Sequence, residues 1–105
     1  MHAIDAEAVK EMQARAESAA ALLKTMANPQ RLRVLCLLLD GDLNVRQINQ
    51  QMPDLSQSAL SQHLAKLRAE GLVDTQRQSQ TICYSLPDGP AHAIIAALCG
   101  IYRET

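Results

Sequence analysis

The sequence predicts one mainly α-helical domain completed by a small β-hairpin. Three observations carry that expectation. Apolar residues recur at spacings of three and four through most of the chain, the period of a helix with one buried face. After Gly71 the period changes to two, the period of a strand. The hydrophobic fraction is 48% but the aromatic fraction only 2%, two Tyr with no Phe or Trp, so Leu, Ile, Val, Ala and Met must fill the core. At 105 residues, the whole span 1–105 reads as a single domain able to bury a real core.

Residues 5–26 are Ala-rich, with Val9, Met12, Ala16, Ala19, Leu23 and Met26 at helical spacing. They predict one long first helix whose small-residue surface suits close packing against a helix of this domain and of a second copy. Asn28-Pro29 marks a boundary, because Asn caps helices well and Pro is favoured at the first helical position. Residues 29–39 follow with Leu32, Val34, Leu35, Cys36, Leu37, Leu38 and Leu39, apolar on most sides and therefore central. Asp40-Gly41-Asp42 supplies a turn. Residues 44–52 predict a short helix carrying Val45, Ile48 and Met52, ended by Pro53-Asp54.

The stretch LSQSALSQHLAKLRAEGL, residues 55–72, is the most informative. Ser56 is a good N-cap, Leu60, Leu64 and Leu67 form one apolar stripe, and Gly71 is a helix stop. The opposite face is unusual. A solvated helix face carries Glu and Lys pairs that support the helix. This one carries Gln57, Ser58, Ser61, Gln62 and Lys66, with His63 on its flank. Amide, hydroxyl and imidazole groups are poorer helix formers, but they hydrogen-bond base edges and phosphates in a DNA major groove. A short helix, a tight break and a second helix with such a face is a helix-turn-helix, spanning about residues 44–70.

Residues 72–77 and 81–86 then read as two strands joined through Gln78 to Gln80, a hairpin whose turn lacks the usual Gly or Asn. Over about residues 72–86 this is a wing, with Arg77 near its tip and placed to meet phosphate or a minor groove. Pro87-Asp88-Gly89-Pro90 is a linker. Residues 91–103 predict a last helix, apolar in two adjacent rows: Ile94, Leu98, Ile101 and His92, Ile95, Cys99, Tyr102. Two rows exceed what a small domain covers, so this helix and the first are expected to pair in a homodimer.

Composition narrows the function classes. The net charge is −1 and the pI about 6.3, which excludes bulk non-specific nucleic-acid binding and requires local positive charge on any DNA surface. The scarcity of aromatics argues against a single-strand stacking platform. No stretch has the length and apolarity of a membrane span, and the N-terminus, with Asp5, Glu7 and Glu11, lacks a signal core. Three cysteines at 36, 83 and 99 are no secreted disulfide framework, so a cytoplasmic protein with free thiols is expected. There is no Cys-x-x-Cys, hydrolase constellation, phosphate loop or cofactor motif, so no enzyme is expected. A winged helix that binds protein instead of DNA remains an alternative.

Three segments carry a family resemblance: LLKTMANPQRLRVLCLLL at 22–39, LSQSALSQHLAKLRAEGLV at 55–73 and RQSQTICYSL at 77–86. Through them the chain resembles the ArsR/SmtB winged helix-turn-helix repressors over nearly its whole length. The resemblance implies a homodimer bound to a palindromic operator in double-stranded DNA, with half-sites roughly 34 Å apart. On this reading the DNA-contacting residues are Ser56, Gln57, Ser58, Ser61, Gln62, His63, Lys66 and Arg77. Members often sense metals. One metal site of the family uses Cys-x-Cys before the reading helix, where this chain has Leu43-Asn44-Val45-Arg46-Gln47. The other uses Asp and His on the last helix. Asp88, His92 and Glu104 are present but wrongly spaced, and His2 lies in a tail. No metal ligand set is therefore assigned, although an ArsR-type metal sensor stays an alternative.

Within the family the chain looks most like the BigR, SqrR and HlyU branch, whose members carry one cysteine in the second helix and one in the last. That likeness implies Cys36 and Cys99 as a dithiol switch, with reactive sulfur species or oxidants as inducer. Taken alone, Cys36 within LCLLL reads as core, since cysteine packs as a small hydrophobe. The resemblance implies instead that the last helix lies beside that of Cys36. A plain disulfide needs Cα atoms roughly 5.5–6 Å apart, so a wider gap would favour a bridge with extra sulfur atoms. Cys83 alternates against Ile82, Tyr84 and Leu86, and is expected to face away from the core without a role.

Overall fold

In the computed structural model, which describes residues 5–103, six helices surround a small antiparallel sheet. The order is α1 (Ala6–Ala14), α2 (Ala16–Met26), α3 (Pro29–Leu39), β1 (Leu43–Asn44), α4 (Val45–Gln51), α5 (Gln57–Ala69), β2 (Asp74–Gln78), β3 (Thr81–Ser85) and α6 (Pro90–Arg103). This is a mainly α, winged helix-turn-helix fold. His2 and Glu104 lie outside the described residues.

Two elements differ from the sequence expectation. The first helix is two helices, broken at Arg15, whose backbone takes φ −109° and ψ 17°. The Arg15 N–H is shared between the carbonyls of Glu11 and Met12, both at 3.1 Å, a tightened last turn that closes α1. Nothing opposes the break, because α1 buries no residue and no core contact holds the axis straight. The hairpin is also not alone. β1 pairs with β3, Leu43 against Tyr84 and Asn44 against Cys83, so the sheet order is β1-β3-β2.

The hairpin turn is Ser79-Gln80, with Gln78 opposite Thr81. A two-residue hairpin turn needs positive φ at its first position, and Ser79 supplies it at 58°. The first hairpin strand starts two residues later than the periodicity suggested, while β3 starts at Thr81 as expected. Leu72 and Val73 are buried before β2 begins, packed into the core rather than paired.

One apolar cluster holds the layers together, with Met26, Val34, Leu35, Leu38, Ile48, Met52, Leu60, Leu64, Leu67 and Ile95 among its members. Leu60, Leu64 and Leu67 are fully buried, as their spacing required, and this fixes which side of α5 faces outward. Of the first stripe only Met26 is buried, with Thr25 beside it, while Val9, Met12 and Leu23 are 44%, 53% and 51% exposed. The N-terminal helices lengthen the molecule to 49 Å. Its radius of gyration of 15.5 Å exceeds the roughly 13 Å of a compact chain this size.

Candidate nucleic-acid interface and thiol pair

Each end of α5 is fixed locally. The Ser56 hydroxyl oxygen accepts the Ala59 N–H at 3.0 Å, the expected N-cap. At the other end Gly71 takes φ +78°. Its N–H donates to Arg68 O at 3.0 Å, and Leu72 N–H donates to Leu67 O at 2.9 Å. That pair of bonds is a Schellman stop, accompanied by the two buried leucines it joins.

The turn ahead of α5 is pinned from two sides. The Asn49 side-chain amide donates to the carbonyls of Met52 and Leu55, at 3.2 and 3.0 Å. From α3, the Arg33 guanidinium grips Asp54 with two parallel bonds, Nη1 to Oδ2 at 2.8 Å and Nη2 to Oδ1 at 3.0 Å. Arg33 thereby holds the Asp54 carboxyl below its usual range, assisted by a backbone hydrogen bond. The clamp is complete above the carboxylate's ordinary range and is lost as pH falls through its lowered value. Asn44 and Gln47 close a capping box on α4, with bonds of 2.8 and 2.9 Å.

The polar face of α5 is open. Ser56, Gln57, Ser58, Ser61, Gln62 and Lys66 are exposed, and His63 is half-buried on the flank. Lys66 lies 3.7 Å from Glu70, a loose surface pair that leaves its ammonium available. Arg77 is exposed on β2, one residue before the end of the strand. A further basic group adjoins this face. Arg46, Asn49 and Gln50 on α4 share a cleft of about 450 Å³ with Gln57. Its only sequence signal was a cation in the first turn of a helix, where the macrodipole disfavours one.

The sulfur chemistry sits elsewhere, where α3 packs against α6. The Sγ atoms of Cys36 and Cys99 are 3.4 Å apart and reduced. Cys36 is exposed, against the core reading its LCLLL setting gave alone; α3 buries Val34, Leu35 and Leu38 instead. The hydrogen bond to Cys99 raises the Cys36 thiol above its ordinary range, with burial and the nearby second sulfur adding to the shift. Either sulfur can be the donor in this contact. Removing the partner sulfur in Cys99→Ala takes away the first and last of these causes. The Cys36 alkylation midpoint, followed by peptide mass across a pH series, should then move down. An unmoved midpoint would show that the two sulfurs share no proton.

Cys83 is half-buried on β3, its Sγ 3.4 Å from Gln78 Oε1. Of the possible metal ligands, Asp88 and His92 stand 4.0 Å apart. Among the described residues no three His, Cys, Asp or Glu side chains are grouped to hold a metal ion.

The sequence profile for "Bacterial regulatory protein, arsR family" matches residues 28–75, from the cap of α3 to the start of the wing. The chain is also 46% identical over 96 residues to the transcriptional activator HlyU of Vibrio cholerae, covering 91% of this chain and 88% of that protein. The chain belongs to the arsR family. The biofilm growth-associated repressor of Agrobacterium fabrum is 41% identical over 91 residues, 87% of this chain and 77% of its own. Among solved structures, reduced HlyU from Vibrio cholerae superposes with a TM-score of 0.81 at 46% identity, covering 89% and 97% of the two chains. The transcriptional repressor BigR from Xylella fastidiosa gives 0.79 at 37% identity, covering 90% and 93%. This arsR-family chain is a DNA-binding transcriptional regulator and not an enzyme. None of its described helices is long and apolar enough to cross a membrane.

Proposed function

We propose that the protein is a homodimeric repressor whose grip on a palindromic operator is released when Cys36 and Cys99 are bridged. The 3.4 Å sulfur contact between α3 and α6 carries this reading. For the DNA side, α5 lies in the major groove and offers Gln57, Ser58, Ser61 and Gln62 to base edges. Ser56, His63, Lys66 and Arg77 meet the backbone, and Arg46 joins them from α4. The dimer side rests on exposed apolar groups at both chain ends: Val9, Met12, Leu23 and Ile101, the last 59% exposed. A second copy is the natural cover for such a surface.

The chemistry balances with two persulfide equivalents. In this reading Cys99 makes the first attack as thiolate. Its sulfur bonds to the outer sulfur of R–S–SH, the donor S–S bond breaks, and RS⁻ leaves and takes up a proton. The Cys99 persulfide and the Cys36 thiol then lose two electrons and two protons as a new S–S bond forms. A second R–S–SH accepts both and leaves as RSH and H₂S. The product holds one sulfur between the cysteines.

The bridge reaches the DNA through α3. Arg33 lies one turn before Cys36 and holds Asp54, two residues ahead of the Ser56 cap. A shift of α3 against α6 thus reaches the N-terminus of α5 through a bidentate contact.

The test is anisotropy of a palindromic promoter fragment, with intact mass read on the same samples. Tight, salt-dependent binding by the reduced protein should fall at least about tenfold once the mass shows a bridge, within the usual range of allosteric coupling. Unchanged binding by fully bridged protein would overturn the switch. Absence of salt-dependent binding in the reduced state would favour a protein-interaction module.

A further inference from the structure

The two thiols do not open onto the same surroundings. On one side Cys36 borders a polar cleft with Asp40, Gln47, Gln50 and Gln51. On the other, both thiols border a cleft of about 230 Å³ walled by Leu32, Ile95, Leu98 and Tyr102, with no nitrogen or oxygen surface. Any group that lodges there to reach Cys99 exchanges water for aliphatic and ring carbon. An enclosed apolar cavity of about 150 Å³ is known to hold benzene, and this open cleft offers the same kind of wall on one side. A charged or peptide-like group would leave its polar atoms unpaired against this wall, at a large cost in desolvation. On the polar side Asp40 adds repulsion for an anionic donor.

We infer that the dithiol selects its sulfur donor by polarity, taking an alkyl or aryl persulfide whose hydrocarbon group lies against Leu32, Leu98 and Tyr102. This rests on the thiol-switch reading above and names the substrate class for it. The donor R–S–SH sits with R in the cleft and its outer sulfur at Cys99. Cys99 S⁻ bonds to that sulfur, the donor S–S bond breaks, and R–S⁻ departs to be protonated in water. The hydrocarbon group acts only through position, since the bonds made and broken are the same for any R.

The probes are benzyl persulfide and carboxymethyl persulfide, generated in the assay and added to the full chain. Cys83 is the internal control, because it borders neither cleft in the same molecule and corrects for the intrinsic reactivity of each donor. Peptide masses give modification at Cys36 and Cys99 relative to Cys83. The normalised rate should favour the benzyl donor roughly tenfold, the effect of about two buried methylenes. In Tyr102→Lys, at a residue 69% exposed, that preference should shrink or reverse toward the carboxylate donor. Equal normalised rates in the wild-type chain would overturn the inference. So would a preference untouched by Tyr102→Lys, which would place the selection elsewhere. Failure of both donors to modify Cys36 or Cys99, with Cys83 reacting, would instead overturn the thiol switch itself.

Discussion

Cys36→Ser and Cys99→Ser should each leave the reduced protein bound to its operator and abolish the loss of binding on persulfide treatment. In the wild-type chain that loss should reach roughly 10- to 100-fold, inside the 5- to 150-fold range of typical site-to-site coupling. Either single substitution removes the effect completely, because a bridge needs both ends. Cys83→Ser should respond as the wild type does, since its sulfur contacts Gln78 on the wing and not the pair. Anisotropy titrations before and after treatment read all three variants. A full response surviving in both Cys36→Ser and Cys99→Ser would end the dithiol account.

Bridge length adds a finer expectation to the same experiment. The reduced sulfurs stand 3.4 Å apart. A disulfide requires about 2.05 Å, so it must draw α3 and α6 together or force both side chains off their rotamers. Two such bonds meeting at an ordinary sulfur angle span roughly 3.3 Å, so one inserted sulfur matches the reduced spacing. Two inserted sulfurs span roughly 4.3 Å by the same geometry and push the helices apart. The one-sulfur bridge keeps this spacing but turns a contact that can open into a covalent tie between α3 and α6, so it should still release the operator about tenfold. Bridges shorter or longer than it should add displacement of the helices and release it further. Sorting the bridged species by intact mass against their operator affinity reads this directly.

Legibility of the fold and site in the sequence follows the range of the interactions. Ser56 and Gly71 mark α5 because a cap and a Schellman stop are made by neighbours in the chain. The three leucines between them give its buried side, and so its open one. Arg15 carried no such mark. The break there replaces one helical turn by another and requires neither Gly nor Pro. β1 is two residues long, too short for periodicity to register, and exists because β3 offers it an edge. The Arg33–Asp54 clamp joins positions 21 apart, and Cys36 meets Cys99 across 63. Contacts of that separation are set by how helices pack, and no local pattern encodes them. The family likeness supplied the cysteine pair, while the exposure of Cys36 and the apolar cleft beside it needed the packed helices.

Gln62→Ala should cost the largest share of operator recognition that a single residue on α5 supplies. A side-chain amide making two bonds to an adenine edge discriminates by about 1–3 kcal/mol, or roughly 5- to 150-fold. Gln62 is exposed in the middle of the open face, one turn beyond Ser58 and flanked by Ser61, so it reaches deepest if α5 enters the groove. The loss should fall on the operator and spare random duplex. Because the residue is neutral, the slope of log affinity against log salt should stay fixed. Arg77→Ala should do the reverse, weakening operator and random duplex alike and reducing that slope by about 0.9 for one phosphate lost. The two variants thus separate base reading on the helix from charge on the wing. Equal weakening of both duplexes by Gln62→Ala would reassign that amide to the backbone and move base reading to Gln57, Ser58 or Ser61.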